Sequence, residues 1–225
     1  MQSKIAHHLD GDAAAQINGV LRKTYLLLSL TLLFSAFVAW YTVVNHIPPM
    51  NNLLFAILLM YGLMFLTNAL RNSPLGIVSV FAFTGFLGYI TGTYLQFILA
   101  QYSNAGNIIA VSLGSTAAVF LGLSFYTITT RKNYSYMGGF ICAASLVIVG
   151  LMIASFFFNF TTLDLIVSGG FCVLSSSYIL YTTSAIIHGG ERNAIRATVS
   201  LFVAIYNIFI SLLRLYTYFA GNRRD

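Results

Sequence analysis

Charged side chains are scarce in this sequence, and their scarcity excludes a water-soluble fold. Only 7% of the 225 residues are Asp, Glu, Lys or Arg, against roughly 25% in an ordinary soluble domain. Hydrophobic residues make up 58% of the chain, and the mean hydropathy is +0.84. Because so few charged groups cannot coat a globule, most of the surface must face lipid or another apolar helix.

Acidic and metal-binding side chains are also few. Cys142 and Cys172 lie inside apolar runs, where a thiol behaves as a small hydrophobe, and the pair His7-His8 lacks the further ligands of a metal site. The sequence holds no hydrolase elbow, Walker loop or paired catalytic carboxylates. We therefore predict a non-enzymatic protein with no cofactor, metal or catalytic residue. The acids, none of them in the middle of an apolar run, are Asp10, Asp12, Asp164, Glu191 and Asp225.

Seven long apolar runs divide the chain, and each reaches the roughly 20 residues that cross a bilayer. The runs are continuously apolar, whereas strands of a membrane barrel alternate apolar and polar residues. We therefore predict an all-α polytopic membrane protein, a seven-helix bundle, since the short breaks leave no room for another domain. The predicted spans are 24–46, 51–70, 74–99, 107–129, 136–158, 162–187 and 195–220, with an N-terminal tail at 1–23 and a C-terminal tail at 221–225.

The net charge of +6 does not indicate a nucleic-acid partner, because the basic residues are scattered at the ends of the runs. They occupy the N-terminal tail and every second loop, which predicts a cytoplasmic N terminus. Seven spans then place the C terminus in the periplasm, although Arg223-Arg224 would be expected inside. A six-span chain or a re-entrant last segment therefore stays open as an alternative. The loop and tail cations are Lys4, Arg22, Lys23, Arg71, Arg131, Lys132, Arg192 and Arg196.

Small residues recur at helical spacing in the third and fourth runs. Lipid gives helices no hydrophobic reason to associate, so close backbone approach through small residues has to contribute more. We predict that both rows are helix-packing faces. The rows are Gly85, Gly88 and Gly92 in the third run, and Gly114, Ala118 and Gly122 in the fourth.

A few polar residues at membrane depth are candidates for a polar pathway or for helix contacts. Asn207, beside Tyr206, either bonds a neighbouring helix or lines a cavity. Arg214 either extends to the headgroups or contacts an anion, and the first interpretation is favoured. Thr182 and Thr183 commonly bond the carbonyl groups of their own helix in such positions.

The sixth loop opens with His188-Gly189-Gly190-Glu191, for which two interpretations stand. The imidazole could sense pH and the glycines could form a hinge. A helix C-cap followed by a turn accounts for the same four residues and is favoured.

Several stretches together carry a family resemblance. They are YGLMFLT at 61–67, GIVS at 76–79, FAFTGFLGY at 81–89, TTRK at 129–132, IIHGGE at 186–191, IRATVSL at 195–201 and YNIF at 206–209. From about Leu21 to Leu213, in this order, the chain resembles the Bax-inhibitor family, and within it the bacterial YccA-like branch. The resemblance implies a seven-helix bundle in the bacterial inner membrane with the last helix near its centre.

The same resemblance implies a function. YccA-like proteins bind the membrane-anchored AAA protease FtsH, are slowly degraded by it and restrain it, and the tail before Tyr25 is the segment that such a protease could grip. Other family members are pH-sensitive calcium leak channels gated by two membrane aspartates. Those positions correspond to Thr182 and Ala204 here, so a calcium or other ion channel is kept as the disfavoured alternative, since no carboxylate is available there to bind Ca²⁺.

Overall fold

A computed structural model describes the backbone of residues 2–158 and 161–221 and, within them, the side chains of 16–155, 157 and 163–220. The described chain is all-α, and each of its seven helices is long and apolar enough to cross a membrane, which confirms the predicted fold class. The helices are α1 (Gln2–Val44), α2 (Leu53–Leu70), α3 (Leu75–Gln101), α4 (Ala105–Thr130), α5 (Met137–Phe158), α6 (Thr161–Ile187) and α7 (Ala194–Gly221).

The first helix begins far earlier than the first predicted span. It runs without a break from Gln2 to Val44, so most of the segment predicted as an N-terminal tail, 1–23, continues α1. Good helix formers such as Ala, Gln, Leu and Lys dominate this polar segment, and it contains no proline, so the backbone has no local reason to stop at the membrane edge. Of the predicted C-terminal tail, 222–225 lie outside the described residues.

Helix α7 is the central element of the bundle. Within the described part of the chain it contacts every helix except α5, whereas α5 contacts only α6. Its fully buried side chains include Ala197, Leu201, Ile208 and Leu213, and Phe202 is only 2% exposed. The last helix is thus surrounded by protein, while α5 lies at the margin of the bundle.

Glycines of α3 allow α1 to pack against it at very short range. A Cβ at Gly88 would lie 2.4 Å from the carbonyl oxygen of Ser35, and one at Gly92 would lie 2.7 Å from that of Ala39. At Gly85 the nearest atom would be a ring carbon of Phe34, at 2.7 Å. The first predicted small-residue row therefore lies in the α1–α3 contact.

The second predicted row of small residues does not lie at a helix contact in the described structure. Gly114, Ala118 and Gly122 are exposed, and no atom would lie within 4 Å of a Cβ at either glycine. The opposite face of α4 is buried instead through hydroxyl residues such as Ser112 and Thr116. A hydroxyl group is costlier to expose to lipid than a glycine is, so the hydroxyl-bearing face of α4 turns toward the bundle. The row of small residues meets no other helix in the described part of the chain.

Candidate functional site

The basic residues of the loops come together at one end of the bundle, which we call the basic face. The antiparallel order of the helices places the second, fourth and sixth connections at this end. Asn193 in the sixth loop bonds Arg71 in the second, and Ser184 near the end of α6 bonds Lys132 in the fourth. The cations of this face are Arg22, Lys23, Arg71, Arg131, Lys132, Arg192 and Arg196.

The loop between α6 and α7 has the geometry of a helix C-cap. Gly189 adopts a φ of 73°, a left-handed conformation that glycine reaches without strain. The backbone N–H groups of Gly190 and Glu191 both donate to the carbonyl oxygen of Ala185, at 2.8 and 3.0 Å. Two carbonyl-directed bonds after a left-handed residue are typical of a helix C-cap, the interpretation favoured for His188 to Glu191.

Ser184 joins this loop to the connection between α4 and α5. Its hydroxyl donates to the carbonyl oxygen of Lys132 at 3.1 Å and accepts from the backbone N–H of Tyr134 at 2.9 Å. Nδ1 of His188 lies 2.9 Å from the carbonyl oxygen of Ser184. Because a carbonyl only accepts, Nδ1 carries the proton of this bond, and Nε2 is left for another partner.

Asn193 joins the same loop to the connection between α2 and α3. Its side-chain N–H groups donate to the carbonyl oxygen of Arg71 at 3.0 Å and to Oδ1 of Asn72 at 2.9 Å. Its Oδ1 accepts from the backbone N–H of Arg196 at 3.0 Å, so it also caps α7. The sequence analysis did not single out this residue, although an Asn directly before the first residue of a helix is a recognised helix-start signal.

Glu191 is held by two partners beside Asn193. Its Oε1 accepts from the backbone N–H of Asn193 at 2.9 Å, and its Oε2 lies 3.4 Å from Nε of Arg196. This is the one ion pair among the residues whose side chains are described. The carboxylate of the loop is thus already compensated by Arg196.

Between these loops and residues 16–23 of α1 lies a cavity of 670 Å³, which we call the basic groove. Three cations and an imidazole border it, together with the first turn of α7. Its lining residues are Gln16, Ile17, Gly19, Val20, Lys23, Arg71, Ile186, His188, Gly189, Glu191, Arg192, Asn193, Ala194 and Ile195.

The predicted polar-pathway residues fall into two separate groups. Thr182 and Thr183 are buried near the basic end of α6, where Oγ1 of Thr183 lies 3.3 Å from the Tyr25 hydroxyl. Tyr206 and Asn207 lie 12 or 13 residues into α7, about 18 Å from its basic end at 1.5 Å per residue. The sequence analysis placed these four residues in one candidate set, but the structure does not bring the two pairs together.

The second group extends toward the opposite end of the bundle. Tyr206 lies near Thr91 of α3. Arg214 lies near Tyr94, also on α3. Arg214 is exposed, and that its side chain reaches toward the headgroups stays a prediction.

Thr24 gives a first testable expectation, because its hydroxyl is buried and has no hydrogen-bond partner among the described atoms. An unpaired buried hydroxyl costs about 1–3 kcal/mol. We expect Thr24→Val to raise the stability by about 1 kcal/mol, measured as the midpoint of thermal unfolding in detergent. Thr183→Val is the matched control, since it removes a paired hydroxyl and should lower the midpoint. A lower midpoint for Thr24→Val would contradict the expectation.

Comparisons with known proteins match this chain along almost its whole length, and they indicate one family. A family model described as "Inhibitor of apoptosis-promoting Bax1" matches residues 17–224. Among similar proteins, "Modulator of FtsH protease YccA" of Escherichia coli is 51% identical over 194 residues, which cover 86% of this chain and 87% of that protein. "Uncharacterized protein PA2604" of Pseudomonas aeruginosa is 50% identical over 208 residues, 92% of each chain.

Proposed function

The chain belongs to the family of inhibitors of apoptosis-promoting Bax1, and from this membership we propose that it modulates a membrane-anchored AAA protease of the FtsH type. The observation that carries the proposal is the 51% identity to a protein named for that activity, over 86% of this chain. At this similarity both chains share the multi-pass inner-membrane architecture. The modulation itself is transferred from the relative by inference.

The modulator acts by binding and without catalysis. Its basic face supplies the contact surface, since the hydrogen bonds of Ser184 and Asn193 hold three loops in one fixed arrangement. Residues 16–23 of α1 lie beside these loops, and five of them line the basic groove. By the distribution of Lys and Arg this face is cytoplasmic, and the C terminus is periplasmic. A protease that enters from the cytoplasm meets the N-terminal helix and the loops together.

The proposal is tested by reconstituting the full chain and an FtsH-type protease in the same vesicles with a second membrane substrate. We expect the two proteins to co-purify and the substrate to be degraded several-fold more slowly than in vesicles without this chain. A variant lacking residues 2–15 leaves the described hydrogen bonds of α1 at Thr24 and Tyr25 in place and should bind the protease less well. Normal substrate degradation and no co-purification would refute the proposed function.

A further inference from the structure

The basic groove lies at the depth where the transmembrane helices end. Arg71 directly follows the last residue of α2, Ile186 is the penultimate residue of α6, and Ala194 is the first residue of α7. Lys23, another lining residue of the groove, directly precedes the first predicted apolar span, 24–46. These helix ends define the boundary between the apolar core and the headgroup layer of a bilayer.

The charge of the groove is positive and uncompensated within the described part of the chain. Lys23, Arg71 and Arg192 face the cavity, and no described carboxylate pairs with any of them. Arg71 donates to Oδ1 of Asn68, and Arg192 donates to the carbonyl oxygen of Gly189. Both guanidinium groups keep further N–H donors, because each has five.

The N-terminal end of a helix also favours an anion in the same place. The groove includes the first turn of α7, a 28-residue helix, whose N-terminal end carries partial positive charge. Among the described lining residues the only carboxylate is that of Glu191, and it is already held by Arg196 and Asn193.

The wall of the groove is apolar as well as basic. Ile17 and Val20 of α1 and Ile195 of α7, all half-buried, line the cavity together. An apolar wall gives a small soluble anion no favourable contact, whereas the glycerol and upper acyl carbons of a lipid are stabilised when they are buried against it. Basic pockets between helices at a membrane face are also the setting in which anionic lipid headgroups bind.

We propose that the basic groove binds one anionic phospholipid, with its phosphate between Lys23, Arg71 and Arg192. The glycerol end of the lipid lies against the isoleucine and valine side chains. The volume of 670 Å³ suits a headgroup with the start of its chains, while the remaining acyl carbons continue into the bilayer. This binding requires no protease and is independent of the proposed modulation.

The test is a lipid titration of the purified full chain in neutral detergent, read by native mass spectrometry. We expect phosphatidylglycerol to bind in preference to zwitterionic phosphatidylcholine. Each cation near an anionic lipid surface contributes about fivefold in affinity, so Arg71→Gln with Arg192→Gln should weaken phosphatidylglycerol binding about 25-fold. Arg71→Lys with Arg192→Lys keeps both charges and should retain most of the binding.

The matched control is Arg131→Gln with Lys132→Gln, which removes two cations from the same face but outside the groove. It should leave phosphatidylglycerol binding within about twofold of wild type, since those charges act only through the surrounding surface. Equal losses in the two double variants, or no loss in either, would overturn the proposal. Displacement of the lipid by inorganic phosphate would reassign the groove to a soluble anion, and displacement by polyglutamate would reassign it to an acidic peptide.

Discussion

A variant with Gly88→Ala and Gly92→Ala is expected to lose the close contact between α1 and α3 and to unfold far more easily than the native chain. The added carbons would lie 2.4 and 2.7 Å from the carbonyl oxygens of Ser35 and Ala39. These are backbone atoms, so relief requires that α1 moves as a unit. Overpacking costs about 1–3 kcal/mol at one site, so the pair should cost about 2–6 kcal/mol.

The measurement is equilibrium unfolding of the two variants in mixed micelles, with Gly114→Ala and Gly122→Ala as the matched pair. The control also adds two Cβ carbons to glycines inside a transmembrane helix, but no neighbouring atom would lie within 4 Å of either carbon. Alanine favours a helix by about 1 kcal/mol over glycine, so the control should be as stable as wild type or slightly more stable. If both pairs lose the same stability, the α1–α3 contact is not what holds the bundle.

The contrast between these two rows shows what a sequence can and cannot predict for such a fold. Run length, apolar continuity and the alternation of Lys and Arg predict seven helices correctly, because those signals depend only on the bilayer. Gly88 and Gly92, like Ala118 and Gly122, are four residues apart, and spacing alone cannot tell which row meets another helix. The difference is whether a partner's carbonyl groups lie opposite, which only the assembled bundle decides.

The candidate site shows the same division. The sequence singled out His188 to Glu191 because a His-Gly-Gly-Glu stretch at a helix end is locally distinctive. It did not find the basic groove, since Lys23, Arg71 and Arg192 are far apart along the chain and meet only when α1, α2 and α7 assemble. Conversely, Thr183 and Tyr206 were grouped by polarity, although counting residues from each helix end would already have placed them at different depths.

Asn193→Ala is expected to have the second-largest effect, because one side chain caps α7 and ties two loops together. Loss of an Asn cap costs about 1 kcal/mol, and the two lost hydrogen bonds to Arg71 and Asn72 contribute about 1 kcal/mol each. We therefore expect a loss of about 2–3 kcal/mol in unfolding free energy. Hydrogen exchange should also speed up at the start of α3, since the second loop is released from the sixth.

Two further variants separate the functions of this side chain. Asn193→Asp keeps the oxygen that accepts from the N–H of Arg196 but loses both donors, so α7 should stay capped while the second loop exchanges faster. Asn72→Ala removes only one of the two links and should cost about 1 kcal/mol. Fast exchange at the start of α3 in Asn193→Ala but not in Asn193→Asp would mean that the cap, and not the link between the loops, holds the basic face in place.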